Sequence, residues 1–333
     1  MSDTPITQEM IRVVAVNEVS KIFAKETAVS KLSFAVPQGK IIGLIGPSGC
    51  GKTTTVRLMT GIYKPTEGKI DVFGDDPRRF KAVQREKIGY MTQLFTLFPD
   101  LTVKENMNFA AAIYGIGPIR RRKRIKELLD FVELTDSRRK LTRKLSGGMQ
   151  RRLALAASLV HDPELIFLDE PTAGIDPILR RKFWDHFVGL KKQGKTLIVT
   201  TQYVNEAAYC DYVGVMNDGQ LIMLEPPERL RQIAFGGEIL HLETAGSLKA
   251  EDLEALEQLP FVRAKLKVRG FRQYEITVDD ASTALPALMS WLDDHEIGVQ
   301  SLEPFLPPYD DVFVKVVQDH RAKTAEANNG DAA

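Results

Sequence analysis

Cysteine is scarce in this sequence: 333 residues hold two, Cys50 and Cys210. A disulfide framework is thereby excluded, and two lone thiols suit a reducing compartment. Long apolar stretches are missing as well. No run reaches 18 residues, so the chain is not expected to span a bilayer by itself. The five histidines, His161, His186, His241, His295 and His320, lack metal-site spacing. Nor does one sign of charge dominate: 45 Lys and Arg against 44 Asp and Glu leave +1, which argues neither for nor against nucleic acid. Met1 to Met10 carries acids and Pro5 and no apolar core, unlike a signal peptide. No internal repeat is present. With 44% apolar and 27% charged residues, the composition excludes a wholly disordered chain and makes a cytosolic globular protein the expectation.

At roughly 150 residues per domain the length implies about two domains. Residues 1–10 read as a flexible tail. Lys40 to Ile45, Leu165 to Leu168 and Thr196 to Thr200 are short apolar runs, with helical patterns over Thr53 to Thr60 and Ile178 to Lys192. Strands alternating with helices predict an α/β fold with a parallel sheet. Tyr212 to Leu224 predicts a hairpin turning at Asp218-Gly219. Residues of about 94–160 are helical in pattern and read as an insertion, giving a first domain of residues 11–235. After Gly236-Gly237 the order becomes βαββαβ, with strands expected at Glu238 to Thr244, Val262 to Val268, Tyr274 to Val278 and Gly298 to Leu302. That order predicts a small ferredoxin-like α+β domain over 236–318. Residues 319–333, polar and rich in Ala and Asn, read as a disordered tail.

Gly46-Pro47-Ser48-Gly49-Cys50-Gly51-Lys52-Thr53, followed by Thr54, fits the phosphate-binding pattern G-x-x-x-x-G-K-[ST] between a strand and a helix. Glycines let the backbone wrap a phosphate, and free N–H groups at the helix start favour the anion. Lys52 would reach the β- and γ-phosphates of a nucleotide, and Thr53 would ligate Mg²⁺. Leu165 to Leu168 is an apolar strand that runs into Asp169-Glu170. Asp169 can reach Mg²⁺, and Glu170 can polarise an attacking water as general base. Together these features predict a P-loop nucleotide-binding enzyme.

Leu145-Ser146-Gly147-Gly148-Met149-Gln150 resembles the signature motif of the ATP-binding cassette (ABC) ATPases. Gln93 matches the Q-loop glutamine, Ala173-Gly174-Ile175-Asp176 resembles the D-loop, and Phe23 stands where the family sets an aromatic ring against adenine. The resemblance covers roughly Val13 to Leu230. It implies a P-loop ABC cassette with a helical insertion, binding ATP and Mg²⁺, with Gln93 linking the metal and the water to a permease contact. It also implies two cassettes facing head to tail, so that Ser146 and Gly148 contact ATP bound by the second subunit, in a homodimer or a heterodimer. Where most cassettes carry a γ-phosphate-contacting histidine, this chain has Gln202, in Thr200-Thr201-Gln202-Tyr203. Glutamine either weakens hydrolysis or substitutes for histidine, since its amide still donates a hydrogen bond. The intact Lys52 and Glu170 favour the substitute, and the stretch resembles the drug-resistance subgroup of exporter ATPases. Pro307-Pro308-Tyr309-Asp310-Asp311-Val312-Phe313 resembles the ending of ABC-2-type exporter ATPases. The implied partner is a separate ABC-2-type transmembrane permease holding the chain at the cytoplasmic face of the membrane, with no nucleic acid. The competing readings are a non-hydrolysing cassette partner or nucleotide sensor, and a soluble ABC ATPase outside transport.

Three features stay open at this level. Phe95 and Phe98 are either core of the insertion or an apolar docking patch. The basic run Arg120 to Lys126 is either a solvated helix face or a contact for anionic headgroups. Cys50 is either a loop filler or, at a helix start that lowers thiol pKa, a readily alkylated group that ATP would protect.

Overall fold

The computed structural model describes residues 11–24, 26–93 and 97–330. They divide into two compact units, the first ending at Glu225 and the second starting at Pro226. In chain order the first unit holds β1 (Arg12–Phe23), β2 (Glu26–Pro37), β3 (Ile41–Ile45), α1 (Lys52–Met59), β4 (Glu67–Val72), α2 (Ala82–Arg85), β5 (Ile88–Met91), α3 (Val103–Ile113), α4 (Pro118–Phe131), α5 (Gly147–Ser158), β6 (Leu165–Asp169), α6 (Pro177–Lys192), β7 (Thr196–Thr201), β8 (Tyr212–Asn217) and β9 (Gln220–Glu225).

A six-stranded sheet orders these as β5-β6-β7-β3-β8-β9, all pairs parallel except β8 with β9. β3, β6 and β7 are buried at every residue, as strands covered on both faces must be. That is why each has a short apolar run rather than an alternating pattern. The β8–β9 hairpin turns through Asp218 (φ 47°) and Gly219 (φ 77°), the left-handed pair of a type I′ turn. A second, antiparallel sheet, β2-β1-β4, went unread in the sequence. Its first strand buries adjacent Val13 and Val14 and shifts register several times against β2, so it shows no clean alternation. Val14, Val16 and Val36 of this sheet share one buried cluster with Ile42 and Leu44 of β3 and Val56 and Met59 of α1. That packing fixes the segment leading into α1. Helices α3, α4 and α5 lie within the predicted insertion; Phe95, like the tail 1–10, falls outside the described residues.

The second unit holds α7 (Pro227–Phe235), β10 (Glu238–Thr244), α8 (Ala250–Glu257), β11 (Lys267–Gly270), β12 (Gln273–Val278), α9 (Ala281–Asp294), β13 (Val299–Phe305) and α10 (Tyr309–Gly330). Its sheet, β11-β12-β10-β13, is antiparallel throughout, the strand order of a ferredoxin-like fold. Leu240, Leu242, Tyr274 and Ile276 of the sheet share a core with Leu256 of α8 and Leu288 and Leu292 of α9.

Three expectations are corrected here. α7 belongs with the second unit, not the first: the Arg231 guanidinium donates to the Pro307 carbonyl (3.1 Å) and lies 3.9 Å from the centre of the Tyr309 ring. The tail from residue 319 continues α10 as far as Gly330, in keeping with the helix propensity of its Ala, Lys and Glu residues. The strand expected from Val262 begins at Lys267, with Val262 itself making one isolated bridge to Val278. No helix among the described residues is long and apolar enough to cross a membrane.

Trp184 of α6 is 0% exposed, with its ring stacked on Tyr209 (5.1 Å) and edge-on to Phe187 (5.4 Å). Trp184→Ala is expected to destabilise the protein by about 3–5 kcal/mol, read as a lower denaturant midpoint.

Candidate functional site

β3 ends at Ile45, and Gly46 to Gly51 carry the chain over to α1. A Cβ on Gly46 would lie 2.2 Å from the Met216 carbonyl oxygen, so only glycine passes beside β8. Gly49 (φ 83°) and Gly51 (φ 98°) adopt the left-handed backbone that L side chains avoid. The turn places Lys52 at the first position of α1, 5% exposed, where its ammonium donates to the carbonyls of Gly46 (2.8 Å) and Pro47 (2.9 Å). Over the loop opens a cleft of about 390 Å³. Ser48, Gly49, Gly51, Lys52, Thr53 and Thr54 line one side, Gln93 and Glu170 another. Glu26 to Ala28 and the hairpin turn Asp218-Gly219 complete it, a contribution absent from the sequence reading.

Beside the lysine lies the end of β6. Asp169 is 0% exposed, and its Oδ1 accepts from the hydroxyls of Thr53 (3.0 Å) and Thr200 (2.6 Å). Its Oδ2 is buried and accepts nothing among the described residues. An orphaned carboxylate oxygen next to a threonine hydroxyl fits Mg²⁺, which binds through one or two carboxylates plus substrate phosphates.

Glu170 follows with φ 51°, a left-handed conformation unusual for glutamate. Three contacts hold it. Its N–H donates to the carbonyl (3.0 Å) and hydroxyl (3.1 Å) of Thr200, Arg151 of α5 donates to its carbonyl, and its carboxylate accepts from Gln93 Nε2 at 3.4 Å. Arg151 and Thr200 were missed as site residues. The signals were present, because Arg151 directly follows the signature and Thr200 nears the end of β7. Gln202 lies beyond that strand, and its Oε1 accepts from Ser48 Oγ (3.2 Å) at the rim of the loop.

The other expected residues are placed as follows. Ser146 caps α5, accepting from Met149 N–H (3.3 Å), with Ser146 and Gly147 exposed. Gln150 turns inward and donates to the carbonyls of Leu145 (3.2 Å) and Thr142 (3.4 Å), so it holds the signature loop. Asp176 caps α6 through Leu179 N–H (2.9 Å). None of these lines the cleft, and neither does Phe23, which is 40% exposed and packs its ring edge-on to Tyr63. Of the two readings of Cys50, its surroundings favour the loop filler. Its side chain points under the loop, 3% exposed, and burial pushes the thiol pKa up against the opposing charge of Lys52.

These features define a P-loop nucleotide site with Glu170 in its lining and Asp169 buried behind Thr53. The model of the ABC transporter family matches residues 29–173. The chain is 39% identical over 219 residues to the probable multidrug ABC transporter ATP-binding protein YbhF of Escherichia coli (strain K12), a match covering 66% of this chain and 38% of that protein. It is 34% identical over 323 residues to the daunorubicin resistance ATP-binding protein DrrA3 of Streptomyces coeruleorubidus, covering 96% and 98% of the two chains. Among solved structures, the dimeric post-hydrolysis state of the ATP-binding cassette MJ0796 bound to ADP and Pi superposes with a TM-score of 0.60 at 28% identity, covering 64% of this chain and 98% of that one. The chain belongs to the ABC transporter family, as an ATP-binding protein with the cassette of an ATPase.

Because its thiol is buried and its pKa raised, Cys50 is expected to react with iodoacetamide more slowly than a free cysteine. Its rate should climb only at pH values above those at which an exposed thiol responds, and a labelling profile over pH checks this.

Proposed function

We propose that this chain hydrolyses MgATP as one half of a cassette dimer and drives a separate ABC-2-type permease in export. The observation that carries the reading is the convergence of Lys52, Thr53 and Glu170 on one cleft, with Asp169 buried directly behind Thr53 and bonded to its hydroxyl. Lys52 and the loop N–H groups would bind the β- and γ-phosphates. Thr53, Asp169 and Gln93 would hold Mg²⁺, which supplies neutralisation of phosphate charge. Glu170 takes a proton from the water whose oxygen bonds to the γ-phosphorus as the bond to the β-phosphate oxygen breaks. Gln202 presents a neutral amide, and with its oxygen bound to Ser48 its N–H₂ remains to donate to a γ-phosphate oxygen. Phe23, with an exposed ring, is assigned to adenine.

The exposed start of α5, with Ser146, Gly147 and Gly148, stands outside the cleft of its own chain. A helix N-terminus capped by serine suits an anion, which supports its use on the nucleotide of the opposing cassette. The dimeric MJ0796 cassette is consistent with that arrangement. Export is supported by the drug-resistance name of DrrA3, a relative aligned over nearly its whole length. The role of DrrA3 is carried to this chain as a proposal.

Steady-state ATP hydrolysis tests the reading. Glu170→Gln is expected to reduce turnover by about 10²–10⁴-fold and to leave a dimer with ATP in light scattering. Wild type that binds ATP without turnover, alone and with its permease, would replace the reading with a silent cassette. Arg151→Ala, which frees the Glu170 carbonyl, is expected to lower kcat by about tenfold with KM for ATP little changed.

A further inference from the structure

We propose that the corner between α3 and α4 is a contact site for the surface of an anionic lipid bilayer. A groove of about 650 Å³ opens there, lined by Lys104 of α3 and Arg121, Arg122, Lys123 and Lys126 of α4, and no carboxylate lines it. Two of the cations of α4 are already engaged. Arg124 is neutralised by Asp162 (3.3 Å) and Glu127 (3.9 Å), and Arg121 donates to the Ile116 carbonyl (2.7 Å). The side chains of Lys104, Arg122, Lys123 and Lys126 make no ion pair or hydrogen bond among the described residues, so four unpaired positive charges line one groove, Lys123 also bordering the neighbouring pocket that holds Glu127 and Asp162.

The same corner carries unburied apolar groups. Ile119 is 88% exposed, more than any other large apolar side chain among the described residues, and Ile113 at the end of α3 is 65% exposed. They flank the short turn through Gly115 and Gly117. Cations with protruding isoleucines are the composition of an interfacial contact, in which the charges meet headgroups and the apolar side chains enter the acyl boundary. A nucleic acid or an acidic peptide answers the cations but has less use for the isoleucines. The exporter reading enters only as the reason the chain meets a bilayer, and vesicle binding is read without permease or hydrolysis.

The test is co-sedimentation of the full chain with mixed phosphatidylglycerol–phosphatidylcholine vesicles and with pure phosphatidylcholine vesicles. Binding is expected to favour the anionic vesicles at least about tenfold and to weaken as salt rises, a response that needs no variant. Each charge removed should weaken it about fivefold, so Lys104→Ser, Arg122→Ser and Lys126→Ser together lose roughly a hundredfold. Ile119→Ser should weaken it further, while ATP binding stays as in wild type. Absent or salt-independent vesicle binding, equal binding to neutral vesicles, a charge-depleted variant that binds like wild type, or preference for an oligonucleotide or acidic peptide over the vesicles would each overturn the proposal. Loss of ATP hydrolysis with vesicle binding intact would instead strike the exporter reading alone.

Discussion

A buried carboxylate must be satisfied, and the first unit is arranged around one. Asp169 has no exposed surface, and burial of such a group is tolerated only when its oxygens find donors. Thr53 and Thr200 answer one oxygen, which ties the first turn of α1 and the end of β7 to the end of β6. The phosphate loop, the strand that runs into Glu170 and the strand leading to Gln202 are thereby held through a single atom. Thr200 also receives the N–H of Glu170, so one threonine positions both acids. The oxygen left over is the one feature of this network that asks for a cation.

The parts of the molecule that were legible in the sequence share a property: their constraint is local. Gly46 and Gly51 are required by close approach to Met216 and Ala28, and the motif reports that requirement within eight residues. Strands β3, β6 and β7 are buried on both faces and therefore read as apolar runs. The ferredoxin-like unit was readable because its pattern shifts between strand and helix periods as its elements do.

What escaped depends on contacts distant along the chain. The division of the units follows from Arg231 meeting Pro307 and Tyr309, 76 positions on in the case of the hydrogen bond, and Pro226-Pro227 alone does not say to which side a helix belongs. The orientation of Cys50 is another case. The charge of Lys52 and the backbone N–H groups at the helix start do lower the pKa of this thiol, but it turns under the loop and desolvation outweighs them. Glu26 to Ala28 reach the cleft through the antiparallel sheet, whose irregular register leaves no periodic trace.

The left-handed backbone at Glu170 carries a consequence for how such a chain can change. A glutamate at φ 51° is held there against its own preference, at a standing cost of order 1–3 kcal/mol for a non-glycine residue. Glycine or asparagine would relax the turn and harden the fold while removing the carboxylate. With Glu170 as the general base proposed above, variants chosen for heat resistance alone would drift toward silence at this position, and ancestry-blind stabilisation of the cassette would trade away its chemistry first.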